Sequence, residues 1–336
     1  MTNMDNPAIP AGLRCVTIIA THQCNARCLA CGYWRHKDDL ELKRKLFERL
    51  VPWLRTHGVR RICWSGGEPT LHTEFEELLA LTARAGISST LLTNGSTFGS
   101  IYKRIYGLVD HIVVSIDAPD ENLFYKIRGL RGYQNLLRIP AEVHRLAPKT
   151  TITFSFLLQH LNLDCVVECA EIAGRSGSDR IAFLAPDYWA IGRPSGRGES
   201  FGWKHSSAAA ASLVRPTRGQ VARFMQRIPL IHSEIARHRS LALANHSLER
   251  LGEYLSHFAC GRLRGNAPIE CGVAADHVVV TAGGKLRACW LTPELFPIEE
   301  GKDPFNQTAI LEYREQLVHN TRFRKEKCKG CMQGTY

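Results

Sequence analysis

The chain has 336 residues, 44% of them hydrophobic, with 43 Lys and Arg against 32 Asp and Glu, for a formal net charge of +11. That length fits one large domain plus an appendage around an ordinary globular core. No segment reads as a membrane span, and the polar, acidic N-terminus lacks the basic and apolar regions of a signal peptide. The basic excess is scattered Arg rather than one block, which argues against nucleic-acid binding. Twelve cysteines without an export signal argue for metal ligands in a cytoplasmic protein, not for a disulfide framework.

Short β-branched runs alternate with amphipathic stretches. Cys15–Ala20 reads as a strand that leads straight into a cysteine-rich loop. Leu42, Leu46, Leu50 and Leu54 recur every four residues, so Leu40–His57 reads as a helix. Arg60–Ser65 is the next strand, Phe75–Ala85 a helix, Ser89–Thr93 a strand and Tyr102–Leu108 a short helix. His111–Ile116 reads as a buried strand, Tyr133–Leu146 as a helix, Thr150–Leu158 as a strand, Leu163–Arg175 as a helix and Ile181–Ala185 as a sixth strand. This alternation predicts an α/β fold, a partial (β/α)6 barrel or open parallel sheet with helices outside, because parallel strands need crossover connections. Its chemistry is expected at the C-terminal strand ends.

Asp187–Gly219 is rich in Gly, Ser, Arg and Pro and reads as a lid or linker. Gln220–His238 and Ser247–Phe258 read as helices. Beyond Cys260 cysteines return, and His277–Thr281 and Lys285–Cys289 flank Ala-Gly-Gly as a hairpin. The expected organisation is an N-terminal tail over 1–14, a core over 15–190, a linker and helices over 191–259, and a small cysteine-rich C-terminal domain over 260–336.

Cys24, Cys28 and Cys31 stand in C-x3-C-x2-C spacing, and the next cysteine is Cys63. Three cysteines this close can bind three corners of a [4Fe-4S] cube and leave one iron open for chemistry. A zinc knot is the alternative, although zinc sites prefer paired C-x2-C units and four protein ligands. A companion motif, Gly66-Gly67-Glu68-Pro69, follows the second strand. CNARCLAC after strand one together with GGEP after strand two resembles the radical SAM enzyme superfamily, over residues 15 to about 190.

The resemblance implies that S-adenosylmethionine occupies the open iron. Reductive cleavage there would give a 5′-deoxyadenosyl radical that takes a hydrogen atom from a substrate carbon. Gly66 and Gly67 lack side chains and let backbone approach a ligand closely. Their carbonyls, with Glu68, would accept from the methionine ammonium, and Pro69 would stiffen the turn. Asn94, Ser115 and Asp117 at the ends of strands three and four, and Arg128 in Lys-Ile-Arg-Gly, are further cofactor-binding candidates, with turn residues and surface ion pairs as the plain alternative. The residue before the third cysteine is often aromatic in similar enzymes. Here it is Ala30, so Tyr33 or Trp34 is the candidate adenine-facing surface.

Near the C-terminus, Cys271 and Cys289 are separated by 17 intervening residues and Cys328 and Cys331 form C-x2-C. Gly284 to Cys289 resembles the G-x4-C element of SPASM and twitch domains, which implies one auxiliary [4Fe-4S] cluster on these four cysteines; four-cysteine zinc is the alternative. Cys260 is a spare ligand, a hydrogen-atom donor or a buried thiol. Cys15, Cys63, Cys165 and Cys169 read as buried thiols.

This arrangement looks most like the radical SAM dehydrogenases and epimerases of aminocyclitol antibiotics. It leads to an expected oxidation or epimerisation of a small polar substrate of sugar or aminocyclitol type, with an external flavodoxin- or ferredoxin-type electron donor. A peptide-modifying maturase is the alternative; only 14 residues precede the first strand, where such enzymes often carry a peptide-binding domain. A sugar or nucleoside decarboxylase or dehydratase is the second alternative. Gln159, His160, Asp187, Tyr188 and Arg193 are substrate candidates, with Asp187 or His160 as the base of an oxidation.

Overall fold

The computed structural model describes residues 12–36, 38–186, 212–245, 247–260, 275–290, 292–320 and 322–323. Six strands run in sequence order: β1 (Cys15–Thr21), β2 (Arg61–Gly66), β3 (Ser88–Thr93), β4 (His111–Ser115), β5 (Thr151–Leu157) and β6 (Arg180–Leu184). Each pairs in parallel with the next. The intervening helices are α1 (Arg44–Thr56), α2 (Phe75–Arg84), α3 (Phe98–Ile105), α4 (Glu121–Arg128), α5 (Tyr133–Leu137), α6 (Ile139–Leu146) and α7 (Val166–Arg175). This is the expected α/β architecture, and strand and helix boundaries mostly fall within a few residues of those read from periodicity.

Alternation along the strands sorts two faces. Val16, Ile18, Ile62, Trp64, Ile112, Val114, Ile152, Phe154, Ile181 and Phe183 are buried in one core with Phe47, Leu50, Leu54, Leu78, Leu79, Val143 and Ala170 of the helices. Trp64 is wedged edge-on between Phe47 and Phe75. The intervening strand residues turn the other way and include a polar row: Thr17, Cys63, Thr90 and His111 stand in one register across β1 to β4. Thr17 Oγ1 lies 2.8 Å from His277 Nε2, and His111 Nε2 lies 2.8 Å from Thr153 Oγ1. The inner face thus mixes a polar row with apolar residues such as Ile19, Leu92 and Val113, and is backed by an apolar, helix-covered core.

The sheet does not stop at β1. Strand β8 (His277–Val280) pairs with β1 in parallel, β9 (Lys285–Arg287) returns antiparallel, and β10 (Phe296–Pro297) pairs with β9. At the other edge β7 (Ala242–Leu243) joins β6. The sheet order is β10-β9-β8-β1-β2-β3-β4-β5-β6-β7. The expected hairpin is therefore present, and it extends the core sheet directly beside the strand that leads into the cysteine loop. The long helix Arg218–Arg237 opens on a capping box between Thr217 and Gln220 and packs against α7 and the helix Leu248–Ala259.

The expected helix Tyr133–Leu146 is two helices, because Pro140 in the first turn of α6 starts a new helix rather than continuing one. Among the described residues no helix is long and apolar enough to cross a membrane.

Candidate functional site

The loop after β1 carries Cys24, Cys28 and Cys31, and three neighbouring strand ends clamp it. The first clamp is Gly66–Glu68 after β2. Gly67 N–H donates to Thr21 O at 2.8 Å and Glu68 N–H donates to Gln23 O at 2.7 Å. A Cβ on Gly67 would sit 2.0 Å from Gln23 O, and one on Gly66, whose φ is +122°, 2.5 Å from Thr21 O. The glycine pair is thus required by the backbone that leads into the first cysteine, quite apart from any ligand.

Glu68 itself is buried, and its carboxylate faces protein donors. Oε1 accepts from Thr70 Oγ1 at 2.6 Å and Thr93 Oγ1 at 2.7 Å, and Oε2 accepts from Asn94 N–H at 2.7 Å. Burial raises its pKa, and these donors pull it back. Sequence reasoning assigned Glu68 to an incoming ammonium; the structure places it as the tie between the ends of β2 and β3. Pro69 opens a buried 3-10 turn, as expected of a stiffened bend.

The second clamp is Asn94. Its Nδ2 donates to Asn25 Oδ1 at 2.8 Å, and Asn25 Nδ2 donates to Ser96 Oγ at 2.8 Å. The third is the end of α4. Arg27 N–H donates to Arg128 O at 2.8 Å and Leu29 N–H to Ile127 O at 2.9 Å. Gly129 has φ +65°, and its missing Cβ would meet Arg27 Cβ at 3.0 Å, so this glycine both caps the helix and lets the cysteine loop pass.

Arg128 and Asp117, proposed separately as cofactor contacts, are ion-paired with each other. Asp117 is buried with φ +56°, and its Oδ1 accepts from Leu157 N–H at 2.6 Å. Asn162 Nδ2 donates to Asp117 O at 2.7 Å and fastens this strained residue. The Arg128 guanidinium is buried beside the cysteines, and its Nε has no hydrogen-bond partner. Ser115 ends β4 half-buried, in register with Ser155.

The three thiols share one pocket of charge. Burial pushes Cys24 up to about 11 and Cys28 up to about 12, and raises Cys31, each against the pull of Arg128. Among the described residues, the group of three possible ligands that comes within 4.8 Å is His22, His36 and Asp38, so the three sulfurs are spread wider than one ion's shell. Soft thiolates, wider than single-ion spacing, and a buried cation with an unpartnered N–H to balance anionic charge fit a three-cysteine iron–sulfur cube better than a zinc ion.

Trp34 Nε1 donates to Cys28 O at 3.2 Å, which holds the loop, while Tyr33 packs with Trp290 against Ile19, Val279 and Ala282. Both aromatics are half-buried and line, with Cys24, one cleft beside the cysteine loop.

The remaining candidates separate. Gln159, beyond β5, is fully buried with both carboxamide atoms unpartnered. His160 Nδ1 lies 2.8 Å from Gln220 Oε1, and Gln220 Nε2 donates to His160 O at 2.7 Å, so this histidine is bound into the capping box of the helix Arg218–Arg237. Cys260 is half-buried at the end of the helix Leu248–Ala259. Cys289 lies just past β9, its N–H donating to Thr292 Oγ1 at 3.0 Å. Asp187, Tyr188, Arg193, Cys271, Cys328 and Cys331 lie outside the described residues. Sequence reasoning missed Asn25, Thr70, Thr93 and Asn162, which fasten the site.

The chain is similar to several known proteins. Residues 18–173 match the model of the Radical SAM superfamily. The chain is 26% identical over 216 residues to a PqqA peptide cyclase of a Methylobacterium species, covering 62% of this chain and 53% of the relative. It is 25% identical over 339 residues to the PqqA peptide cyclase of Methylobacterium nodulans, covering 98% and 81%. An S-adenosylmethionine-dependent nucleotide dehydratase of a Thermoplasmatales archaeon is 30% identical over 135 residues, 39% of this chain and 46% of that one. The match spans about half the length of most of these relatives. Among solved structures, Streptococcus suis SuiB bound to S-adenosylmethionine superposes with a TM-score of 0.65 at 14% identity, over 93% of this chain and 70% of that one. The anSMEcpe enzyme with bound AdoMet superposes with a TM-score of 0.63 at 15% identity, over 91% and 82%. At these identities the structures establish the fold. Residues 18–173, which run from β1 into α7, are the part of this chain that resembles the Radical SAM superfamily.

Proposed function

We propose that this protein is a radical SAM enzyme that modifies a peptide substrate. The observation that carries the radical reading is the clamping of one three-cysteine loop by the GGEP turn, by Asn94 and by the end of α4. Cys24, Cys28 and Cys31 would hold the cube, with S-adenosylmethionine beside the Gly66-Gly67 carbonyls. Bound there, the pair would supply one-electron reductive C–S cleavage and hydrogen-atom abstraction chemistry. The chain's part is to fix the loop and to balance its charge with Arg128.

The curated relatives named PqqA peptide cyclase favour a peptide over the sugar or aminocyclitol expected from the cysteine pattern, and one of them matches 98% of this chain. The second reading is a small polar substrate, oxidised or epimerised, as the cysteine pattern of the sequence suggests. An auxiliary [4Fe-4S] cluster on Cys271, Cys289, Cys328 and Cys331 and an external flavodoxin- or ferredoxin-type donor belong to either version.

The test is anaerobic reconstitution followed by reduction with S-adenosylmethionine present. Formation of 5′-deoxyadenosine that is lost in Cys24→Ala supports the radical reading, and no cleavage by iron-loaded protein overturns it. Deuterium passing into 5′-deoxyadenosine from a labelled peptide encoded beside the gene supports the peptide reading; transfer from a labelled sugar or cyclitol supports the second. About eight irons per chain agrees with two cubes, and about four with zinc present refutes the auxiliary cluster.

A further inference from the structure

We propose that His22, His36 and Asp38 form a mononuclear site for a first-row divalent cation, zinc or ferrous iron in class, beside the cysteine loop and distinct from it. The site follows from how the loop closes. A bridge between Thr21 and Glu41 pins its base, and Tyr33, Trp34, His36 and Asp38 line one cleft with residues 22–25. One ligand atom from each of the three residues lies within 4.8 Å of the others. Ligands about 2.0–2.2 Å from a shared ion stand within that span of one another. Two imidazoles and a carboxylate are a donor set that suits zinc and ferrous iron and leaves positions open. Those positions face a cleft of about 240 Å³ lined also by Gln23, Cys24, Asn25, Tyr33, Trp34 and Asp39, so the proposed ion and the cysteine loop share one opening while their ligand atoms differ.

A simple ion pair explains only part of this. His22 Nδ1 lies 2.6 Å from Asp38 Oδ1, which satisfies those two groups. It leaves His36 without a purpose. The His36 ring stands 4.2 Å from the His22 ring, centroid to centroid, and its Nε2 is enclosed with no hydrogen-bond partner. An enclosed ring nitrogen without a partner is costly, and an ion shared with its neighbours removes the cost. The cysteine sulfurs do not fall within the same 4.8 Å group, so the site is built of nitrogen and oxygen alone. It does not depend on the radical reading.

The experiment uses untagged full-length protein already loaded with iron and sulfide, so that the cysteines are occupied. The protein is incubated with excess Zn2+, desalted and counted, and the zinc is examined by X-ray absorption. One zinc per chain beyond any held by sulfur is expected, with a nitrogen and oxygen shell at about 2.0–2.1 Å and no sulfur at about 2.3 Å. Asp38 is 59% exposed, so Asp38→Asn leaves folding undisturbed. That variant and His36→Ala should each retain zinc at least tenfold more weakly while their iron count stays unchanged. No retained zinc, a sulfur shell alone, or equal retention in the variants overturns the proposal.

Discussion

The backbone N–H of Asn94 donates to Glu68 Oε2 at 2.7 Å, joining the turn after β2 to the turn after β3 through a buried carboxylate. The same carboxylate accepts from Thr70 and Thr93 on its other oxygen. Asn94 then passes the connection to Asn25 between the first two cysteines. The GGEP carboxylate is therefore a frame member of the cysteine loop.

Glu68→Gln tests this directly. The amide nitrogen would face donors in place of an acceptor, leaving at least one buried N–H or hydroxyl unmet. The expected loss is about 1–3 kcal/mol of stability, read from the urea midpoint, with lower iron retention. An unchanged midpoint would free Glu68 for a purely ligand-binding role.

Gly67→Ala is a sharper test of the same frame. A Cβ placed 2.0 Å from Gln23 O, 2.6 Å from Gln23 C and 2.8 Å from His22 O meets backbone on every side. Neither neighbour can rotate away, so the loop itself must shift, at about 3 kcal/mol or more. Iron incorporation should fall with stability. Full incorporation in a stable variant would show that the loop tolerates displacement.

The pairing of Arg128 with Asp117 predicts strong coupling. Arg128→Met strands a buried carboxylate, and Asp117→Asn strands a buried guanidinium. Each should cost about 3–5 kcal/mol, and the double variant should recover part of that loss. Thermal melts of the full cycle measure it; strictly additive losses would mean that the pair carries no energy.

Much of this frame was legible in the sequence. The alternation of β-branched runs with four-residue leucine spacing located six parallel strands, and the two motifs fell at adjacent strand ends. What the sequence hid was partnership. Glu68, Asp117 and Arg128 are charged residues in loops, where a ligand contact and an internal tie look alike until the chain is folded. Helix α4 was missed because it is short, although Asp120 accepts from Asn122 N–H and Leu123 N–H at its start and Gly129 ends it. That β8 would join β1 could not be read either, because nothing local encodes a pairing across 260 residues of chain.

Gln159 separates stability from function. Its carboxamide is fully buried with neither atom partnered, which costs folding free energy unless a bound molecule meets it. Gln159→Leu should hold or raise the melting temperature, since it removes two unmet polar groups. If the carboxamide meets a ligand, the same variant should bind S-adenosylmethionine or substrate about tenfold more weakly by calorimetry, for one good hydrogen bond or two. A more stable variant with unchanged affinity would leave Gln159 outside the site.

His277 gives the pH dependence. Burial holds its imidazole down to about 4 from an ordinary 6.5, with Thr17 Oγ1 at 2.8 Å from its Nε2. In the unfolded chain the ring takes up a proton as pH falls through about 6.5, while the folded protein refuses it until about 4. The unfolded state thus binds more protons across that window, so stability must fall on acidification and level off below it. At about 1.4 kcal/mol per unit the whole effect approaches roughly 3 kcal/mol. His277→Gln keeps a polar side chain opposite Thr17 without the titration. Urea unfolding between neutral and acidic pH should show the wild type losing about that much more stability than the variant, and parallel losses would place the acid sensitivity elsewhere.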